Sequence, residues 1–157
     1  MIHEVWHTSF TVADMDRSIH FYRDLLGLEL VHEQEQDNEY TRTFVGYPDA
    51  HLRVAQFDVP GRSANRSRHI IELVQYLSPQ GEPVHPERYQ PGAAHLAFRV
   101  DDTRALYERL RAEGVHFISE PVEVTAGINR GGMTVYLEDP DGVTLELVTP
   151  PARTEAG

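Results

Sequence analysis

The chain carries one sequence pattern twice, and this internal repeat limits its possible folds more than any other feature. The first copy begins "HTSFTVADMDRSIHFYRDLLGLEL" at His7, and the second begins "HLAFRVDDTRALYERLRAEGVHF" at His95. Counted from each histidine, Phe, Val and Asp recur at +3, +5 and +7, and a glycine follows at +20 or +19. Both copies end on an "ELV" segment. So many matches in the same order indicate two copies of one supersecondary unit.

Each copy predicts a strand, then a helix, then three further strands. Residues after each opening histidine alternate between apolar and polar, which is typical of a half-buried strand. Asp14 and Asp102 are predicted helix N-caps, and Gly27 and Gly114 are predicted helix ends. The later strands are predicted over 28–35, 51–59 and 69–77 in the first copy, and over 115–124, 132–138 and 143–149 in the second.

The predicted fold is α+β, with two βαβββ modules that form a curved mixed sheet around a metal-binding trough. A length of 157 residues fits one domain. We expect a single domain over 1–157, with modules at about 4–77 and 92–150. A linker over 78–91, rich in Pro and Gly, joins the modules.

Composition excludes several classes of function. A net charge of −11 argues against a nucleic-acid surface, because binding phosphates requires a basic patch. The absence of cysteine excludes disulfides and thiolate metal ligands. No apolar run approaches the roughly 18 residues of a membrane helix, and the first residues do not resemble a signal peptide. We therefore expect a cytoplasmic protein that binds a small molecule and neither nucleic acid nor membrane.

Two glutamates interrupt strands that are otherwise apolar. Glu72 lies in "HIIELVQY" and Glu146 lies in "VTLELVTP". Burying an unpaired carboxylate is costly, so each glutamate requires a partner. If both modules line one trough, these carboxylates face it together with His7 and His95 of the opening strands. Two imidazoles and two carboxylates on one cavity predict a site for a divalent metal ion.

Several features together point to a known family: the repeat, the opening "HTSFTV…DRSIHFYRDLLGLEL", and the segments "HLAFRVDD" and "YLEDPDGVTLELV". With these features the chain resembles the vicinal oxygen chelate superfamily over about residues 5–150. This superfamily contains glyoxalase I, methylmalonyl-CoA epimerase, extradiol dioxygenases, and the bleomycin and fosfomycin resistance proteins. The resemblance implies one divalent ion (Ni, Zn, Co, Mn or Fe) and a homodimer, with each metal site completed within one chain or across the dimer. The ligand positions that it implies are His7, Glu72, His95 and Glu146.

The resemblance implies a metal-dependent lyase or isomerase of the glyoxalase or epimerase kind. Such enzymes chelate a small oxygenated carbonyl substrate through two oxygens and transfer a proton by way of an enediolate-type intermediate. Glu146 or Glu72 would serve as the catalytic base. Thr11, Tyr76 and Arg99 are the predicted substrate-binding residues of the trough wall.

Two substitutions argue against glutathione as part of the substrate. Glyoxalase I commonly has Arg at the position of Thr11, where it anchors glutathione, and Asn at the position of Tyr76. The epimerase pattern is also incomplete. Methylmalonyl-CoA epimerase usually has a further Glu on the strand before that of Glu72, where this chain offers only Gln56 and Asp58.

Two alternative functions remain open. Extradiol dioxygenases have a Tyr ten residues before the final Glu and an acid–base His three residues before the position of Glu72. Tyr136 and His69 match these positions and would be catalytic, although dioxygenases usually have a small residue in place of Glu72. Bleomycin-binding members trap the drug without metal, but they typically lack the His and Glu ligands that this chain has.

Overall fold

The computed structural model describes residues 1–61 and 70–152, and these fall into two compact units that divide between Val84 and His85. Each unit contains one four-stranded mixed sheet and at least one helix, as predicted for the α+β class. In the part of the chain that the structure describes, no helix has the length and apolar character that crossing a membrane requires.

The first unit has the strand order β1-β4-β3-β2. Strand β1 is parallel to β4, and the other neighbours are antiparallel. Asp14 caps the first helix as predicted, because its side chain accepts a hydrogen bond from the backbone N–H of Arg17 at 3.0 Å. The elements are β1 (His7–Thr11), α1 (Met15–Ile19) continued by a π-helical segment (His20–Leu25), β2 (Glu29–Gln36), α2 (Glu39–Val45), β3 (His51–Asp58) and β4 (Ile70–Ser78).

The core of the first unit lies on the face of the sheet that packs against the first helix. Ile71 and Leu73 of β4 are buried there, and Phe57 of β3 packs against Tyr22, with ring centroids 5.9 Å apart. Successive side chains of a strand point to opposite faces, so Glu72 lies on the other face. The alternation read from the sequence is confirmed, and it places this carboxylate away from the apolar core.

Helix α2 was not predicted, because its sequence "EYTRTFV" is rich in aromatic and β-branched residues that favour strands. Its ends follow the usual rules of helix termini. The Asn38 side chain accepts a hydrogen bond from the backbone N–H of Thr41, and Gly46 adopts a φ of +79° directly after the last turn. Tyr40 and Phe44 stack on its exposed surface.

The second unit has the strand order β5-β8-β7-β6, which matches the first unit strand for strand. Asp102 caps its helix by accepting a hydrogen bond from the backbone N–H of Ala105, as predicted. Leu110 of the helix and Leu145 of the last strand are fully buried in the core. The elements are β5 (His95–Arg99), α3 (Thr103–Ala112), β6 (Val122–Glu123), β7 (Met133–Glu138) and β8 (Thr144–Thr149).

The strand predicted over 115–124 is wrong for most of its length. Only β6 and an isolated bridge between Phe117 and Leu137 pair with the sheet in this stretch. Pro121 lies between the two pairings and has no N–H to donate to a neighbouring strand. The short strand still lies beside β7, so the order of strands is unaffected.

Candidate functional site

The first unit brings His7 and Glu72 together. The parallel pairing of β1 and β4 sets Ser9 opposite Glu72, and His7 lies two residues earlier on the same face. His7 Nε2 is 3.7 Å from Glu72 Oε1. The glutamate side chain is only 16% exposed and the histidine is 39% exposed. A mostly buried carboxylate therefore faces an accessible imidazole.

The second unit repeats this arrangement in the same register. Ala97 lies opposite Glu146, as Ser9 lies opposite its glutamate, and His95 again precedes the paired residue by two. His95 Nε2 is 3.2 Å from Glu146 Oε2, and the Glu146 side chain is 18% exposed. The match in register follows from the repeat, since both units pair their first and last strands in parallel.

The spacing within each pair suits two neighbouring ligands of one metal ion. Ligand atoms about 2.1 Å from an ion, at angles between 90° and tetrahedral, lie roughly 3.0–3.4 Å apart. The separations of 3.7 and 3.2 Å are close to this range. In residues 1–61 and 70–152, no three His, Asp or Glu side chains form a group that could hold a metal ion. The four predicted ligands thus form one His–Glu pair in each unit.

Each glutamate also has a neutral hydrogen-bond donor on the adjacent strand. Gln56 Nε2 donates to Glu72 Oε2 at 2.9 Å, and Thr134 Oγ1 donates to Glu146 Oε1. In both cases the other carboxylate oxygen is the one that faces the histidine. The sequence pattern distinguished Gln56 only by the absence of a glutamate there, and it gave no signal for Thr134. Alternation alone does not determine how strands pair, so only the structure shows that Gln56 and Thr134 donate to the two glutamates.

Tyr136 lies beside both members of the second pair. It is the register partner of Glu146, and its ring packs edge-to-face on His95, with centroids 5.3 Å apart. Burial raises the pKa of Tyr136, the Glu146 carboxylate raises it further, and the positive charge of Arg88 partly opposes both effects. The side chain is therefore a neutral phenol at ordinary pH, able to donate a hydrogen bond.

The predicted substrate-binding residues share faces with the candidate ligands. Thr11 is exposed on β1 in phase with His7, and Arg99 is exposed on β5 in phase with His95. Tyr76 is half-buried on β4 in phase with Glu72, and its ring meets that of Tyr47 edge-to-face at 6.1 Å. The remaining predicted catalytic residue, His69, lies outside the described residues.

The chain belongs to the glyoxalase/bleomycin resistance protein/dioxygenase superfamily, whose family model matches residues 5–147. It is 35% identical over 150 residues to the lactoylglutathione lyase of Haemophilus influenzae, covering 92% of this chain and 91% of the relative. It is also 33% identical over 152 residues to a 2-epi-5-epi-valiolone epimerase of an Actinomyces species, covering 94% and 80% respectively. These similarities support an enzyme of the glyoxalase family.

Solved structures show the same fold. A glyoxalase family protein from Bacillus cereus matches with a TM-score of 0.82 at 19% identity, over 97% of both chains. The glyoxalase I of Leishmania major matches with a TM-score of 0.64 at 20% identity, over 94% of this chain and 87% of that one. At these identities the likeness establishes the fold and not the substrate.

Proposed function

We propose that this protein is a divalent-metal-dependent lyase or isomerase of the glyoxalase or epimerase kind, acting on a small oxygenated carbonyl compound. One observation carries the proposal: both units place a His and a mostly buried Glu in the same register, with nitrogen and oxygen 3.7 and 3.2 Å apart. A repeat that served folding alone would not need to place two polar, partly desolvated groups together twice.

The proposed ligands are His7, Glu72, His95 and Glu146, completed within one chain or across a homodimer. A set of two imidazole nitrogens and two carboxylate oxygens suits Ni, Zn, Co, Mn or Fe in the divalent state. The bound ion would supply Lewis acidity to two neighbouring oxygens of the substrate. Gln56 and Thr134 would orient the two carboxylates, since each already holds one oxygen and leaves the other directed at a histidine.

The protein's own groups can move the proton. Glu146 or Glu72 would remove the proton from the carbon next to the substrate carbonyl, giving an enediolate-type intermediate. Return of the proton to the neighbouring carbon completes an isomerisation, and its return to the opposite face of the same carbon completes an epimerisation. Tyr136, kept neutral beside Glu146, would donate a hydrogen bond to the developing oxyanion.

The relatives suggest the range of substrates. One is named for a lyase of lactoylglutathione and another for an epimerase of a valiolone. We infer that the substrate of this chain has a carbonyl group, a second oxygen on the neighbouring carbon, and an acidic C–H bond next to the carbonyl. Screening α-hydroxy ketones, including cyclic ones, for uptake of deuterium from heavy water would detect the proton transfer whatever product is formed.

The test of the metal centre is elemental analysis of protein purified without chelators. We expect close to one divalent ion per pair of repeats, and its loss in His95→Ala and Glu146→Ala. His116→Ala is the matched control, because that imidazole pairs with Glu138 outside the proposed centre. Full retention of metal in both ligand variants would contradict the proposal, and wild-type protein without metal would favour a binding protein.

A ring-cleaving dioxygenase with ferrous iron is the second candidate. The observation in its favour is the position of Tyr136, which touches His95 and pairs with Glu146. Oxygen uptake with catechols by the iron-loaded protein would support this function. Glu72 argues against it, because a fourth protein ligand leaves fewer open positions on the ion.

A further inference from the structure

Arg88 lies at the same face of the second sheet as the candidate ligands His95 and Glu146. His95 is the register partner of Thr144, which in turn is the register partner of Glu138, so these three residues project from one face. Arg88 Nη1 donates to Glu138 Oε1 at 3.2 Å. Its partner Glu138 lies on β7, two strands away from His95 on β5, and backbones two strands apart are separated by roughly 10 Å.

The backbone around Arg88 holds it in this place. Gln90 N donates to Glu87 O at 2.8 Å, and Glu87 N donates to the Gln90 side chain at 2.9 Å, so a turn closes on both sides of Arg88. Earlier in the same segment, the imidazole of His85 lies against Gly142, so close that a Cβ added there would be 2.5 Å from Nδ1. The segment is therefore anchored to the β7–β8 hairpin at two points.

The pairing with Glu138 leaves most of the guanidinium available. Glu138 divides its oxygens between Arg88 and His116, whose Nδ1 is 3.0 Å from Oε2. Among the described contacts Arg88 makes one hydrogen bond, through Nη1, and its side chain is 43% exposed. An arginine has five N–H donors, so further anionic oxygens can be bound. Arg53 of the first unit differs in this respect, because its guanidinium is already paired with two carboxylates, those of Asp16 and Glu33.

Acidic residues outnumber basic ones in this chain, 25 to 14. The nearby charged groups at this end of the face are the carboxylates of Glu146 and Glu138, while Arg99 of the same face lies at the other end of β5, level with Val148 and Thr134. An anion that approached this face would otherwise meet two carboxylates. Arg88 therefore supplies the positive charge that an anionic part of a ligand would need here.

We propose that Arg88 is a specificity-determining residue that binds an anionic group, a carboxylate or phosphate, at the end of the substrate remote from its chelating oxygens, about two strand spacings (roughly 10 Å) from His95. This inference rests on the proposed function, because that function places the chelating end of the substrate at His95 and Glu146. Glu138 positions the guanidinium of Arg88, and the turn at Glu87–Gln90 holds the backbone of Arg88 in place.

Two hydroxamate probes test this role on the full-length, nickel-loaded protein. Octanedioic acid monohydroxamate carries a chelating group at one end and a carboxylate at the other, and its monoamide is the matched neutral probe. We expect calorimetry to show about 5- to 10-fold tighter binding of the anionic probe to wild type. In Arg88→Gln this preference should fall to about one, with the affinity for the neutral probe unchanged.

Arg104→Gln is the matched control, because it removes the same charge from α3 on the opposite side of the sheet. It should retain the wild-type preference, and Arg88→Lys should retain part of it. A preference in Arg88→Gln equal to that of wild type would overturn the role of Arg88 while leaving the metal centre intact. Failure of the neutral probe to bind nickel-loaded wild type would instead overturn the chelating function, and this inference with it.

Discussion

Gln56 lies directly opposite Glu72 on neighbouring antiparallel strands and donates a hydrogen bond to it at 2.9 Å. The equivalent place opposite Glu146 is occupied by Tyr136. The two glutamates of the repeat therefore have different neighbours, an amide in one unit and a phenol in the other. Because an amide and a phenol differ in donor strength and size, the two carboxylates lie in different surroundings, and under the proposed function we expect them to contribute unequally.

We predict that Gln56→Ala lowers metal affinity by about 10-fold, because Glu72 loses the donor that orients it. Competition with a fluorescent chelator measures this change. Gln34→Ala, a substitution of the same type on exposed β2, is the control and should bind metal as wild type does. Affinity within twofold of wild type in Gln56→Ala would show that the hydrogen bond does not support the centre.

Glu72→Ala separates the two candidate chemistries. With Glu72 as a fourth ligand, a six-coordinate ion keeps two open positions, enough for a substrate that chelates through two oxygens. We therefore predict that Glu72→Ala weakens metal binding and suppresses proton exchange, measured by uptake of deuterium from heavy water. Glu29→Ala at the exposed start of β2 serves as the control.

The result that contradicts this prediction is specific. If wild type consumes oxygen with catechols and Glu72→Ala keeps both its metal and its rate, then Glu72 is not a ligand. The isomerase function then fails, and the dioxygenase function takes its place.

We predict poor turnover of the methylglyoxal–glutathione hemithioacetal. Thr11 and Tyr76 stand where the anchoring Arg and Asn of glyoxalase I are commonly found, and neither supplies a charge for the carboxylates of glutathione. The lactoylglutathione lyase of Haemophilus influenzae is the natural comparison in the same assay. Thr11→Arg should raise kcat/KM for this substrate. Wild-type turnover equal to that of the relative would show that glutathione is recognised by other residues.

The sequence predicted the parts of the fold that depend on local patterning. Alternation correctly placed Glu72 on the face opposite Leu73, and helix caps were correctly assigned to Asp14 and Asp102. Helix α2 was not predicted, because its residues favour strands; its caps at Asn38 and Gly46 are seen in the structure.

The candidate site was predictable only in part. The two His–Glu pairs follow from the repeat, because corresponding residues of two units with the same fold have corresponding neighbours. The donors to the glutamates depend on pairing between β3 and β4 and between β7 and β8. The first of these ladders shifts register between His51 and Leu52, an irregularity that the period of the sequence does not encode.

The turn at Gly142 offers a test of packing. Gly142 has a φ of +83° and lies against His85, whereas Gly127 has a φ of +76° with no neighbour of its Cβ position within 4 Å. We predict that both Gly→Ala variants lose about 1 kcal/mol of stability from backbone strain. Gly142→Ala should lose more, because the imidazole must move. Thermal denaturation measures both losses.

A double variant isolates the steric part. In a His85→Ala background, the loss caused by Gly142→Ala should fall to that of Gly127→Ala. An equal loss with and without His85 would show that the segment is not anchored at this turn.

The equal register of the two His–Glu pairs has a consequence for evolution. Since each pair is completed inside one unit, exchanging units between two copies of the chain would separate no histidine from its glutamate. Selection could then reconnect, swap or fuse the halves by changing the segment between them, while the donor atoms stay untouched. Under the proposed function, new pockets would then arise by recombining units whose His–Glu pairs stay intact.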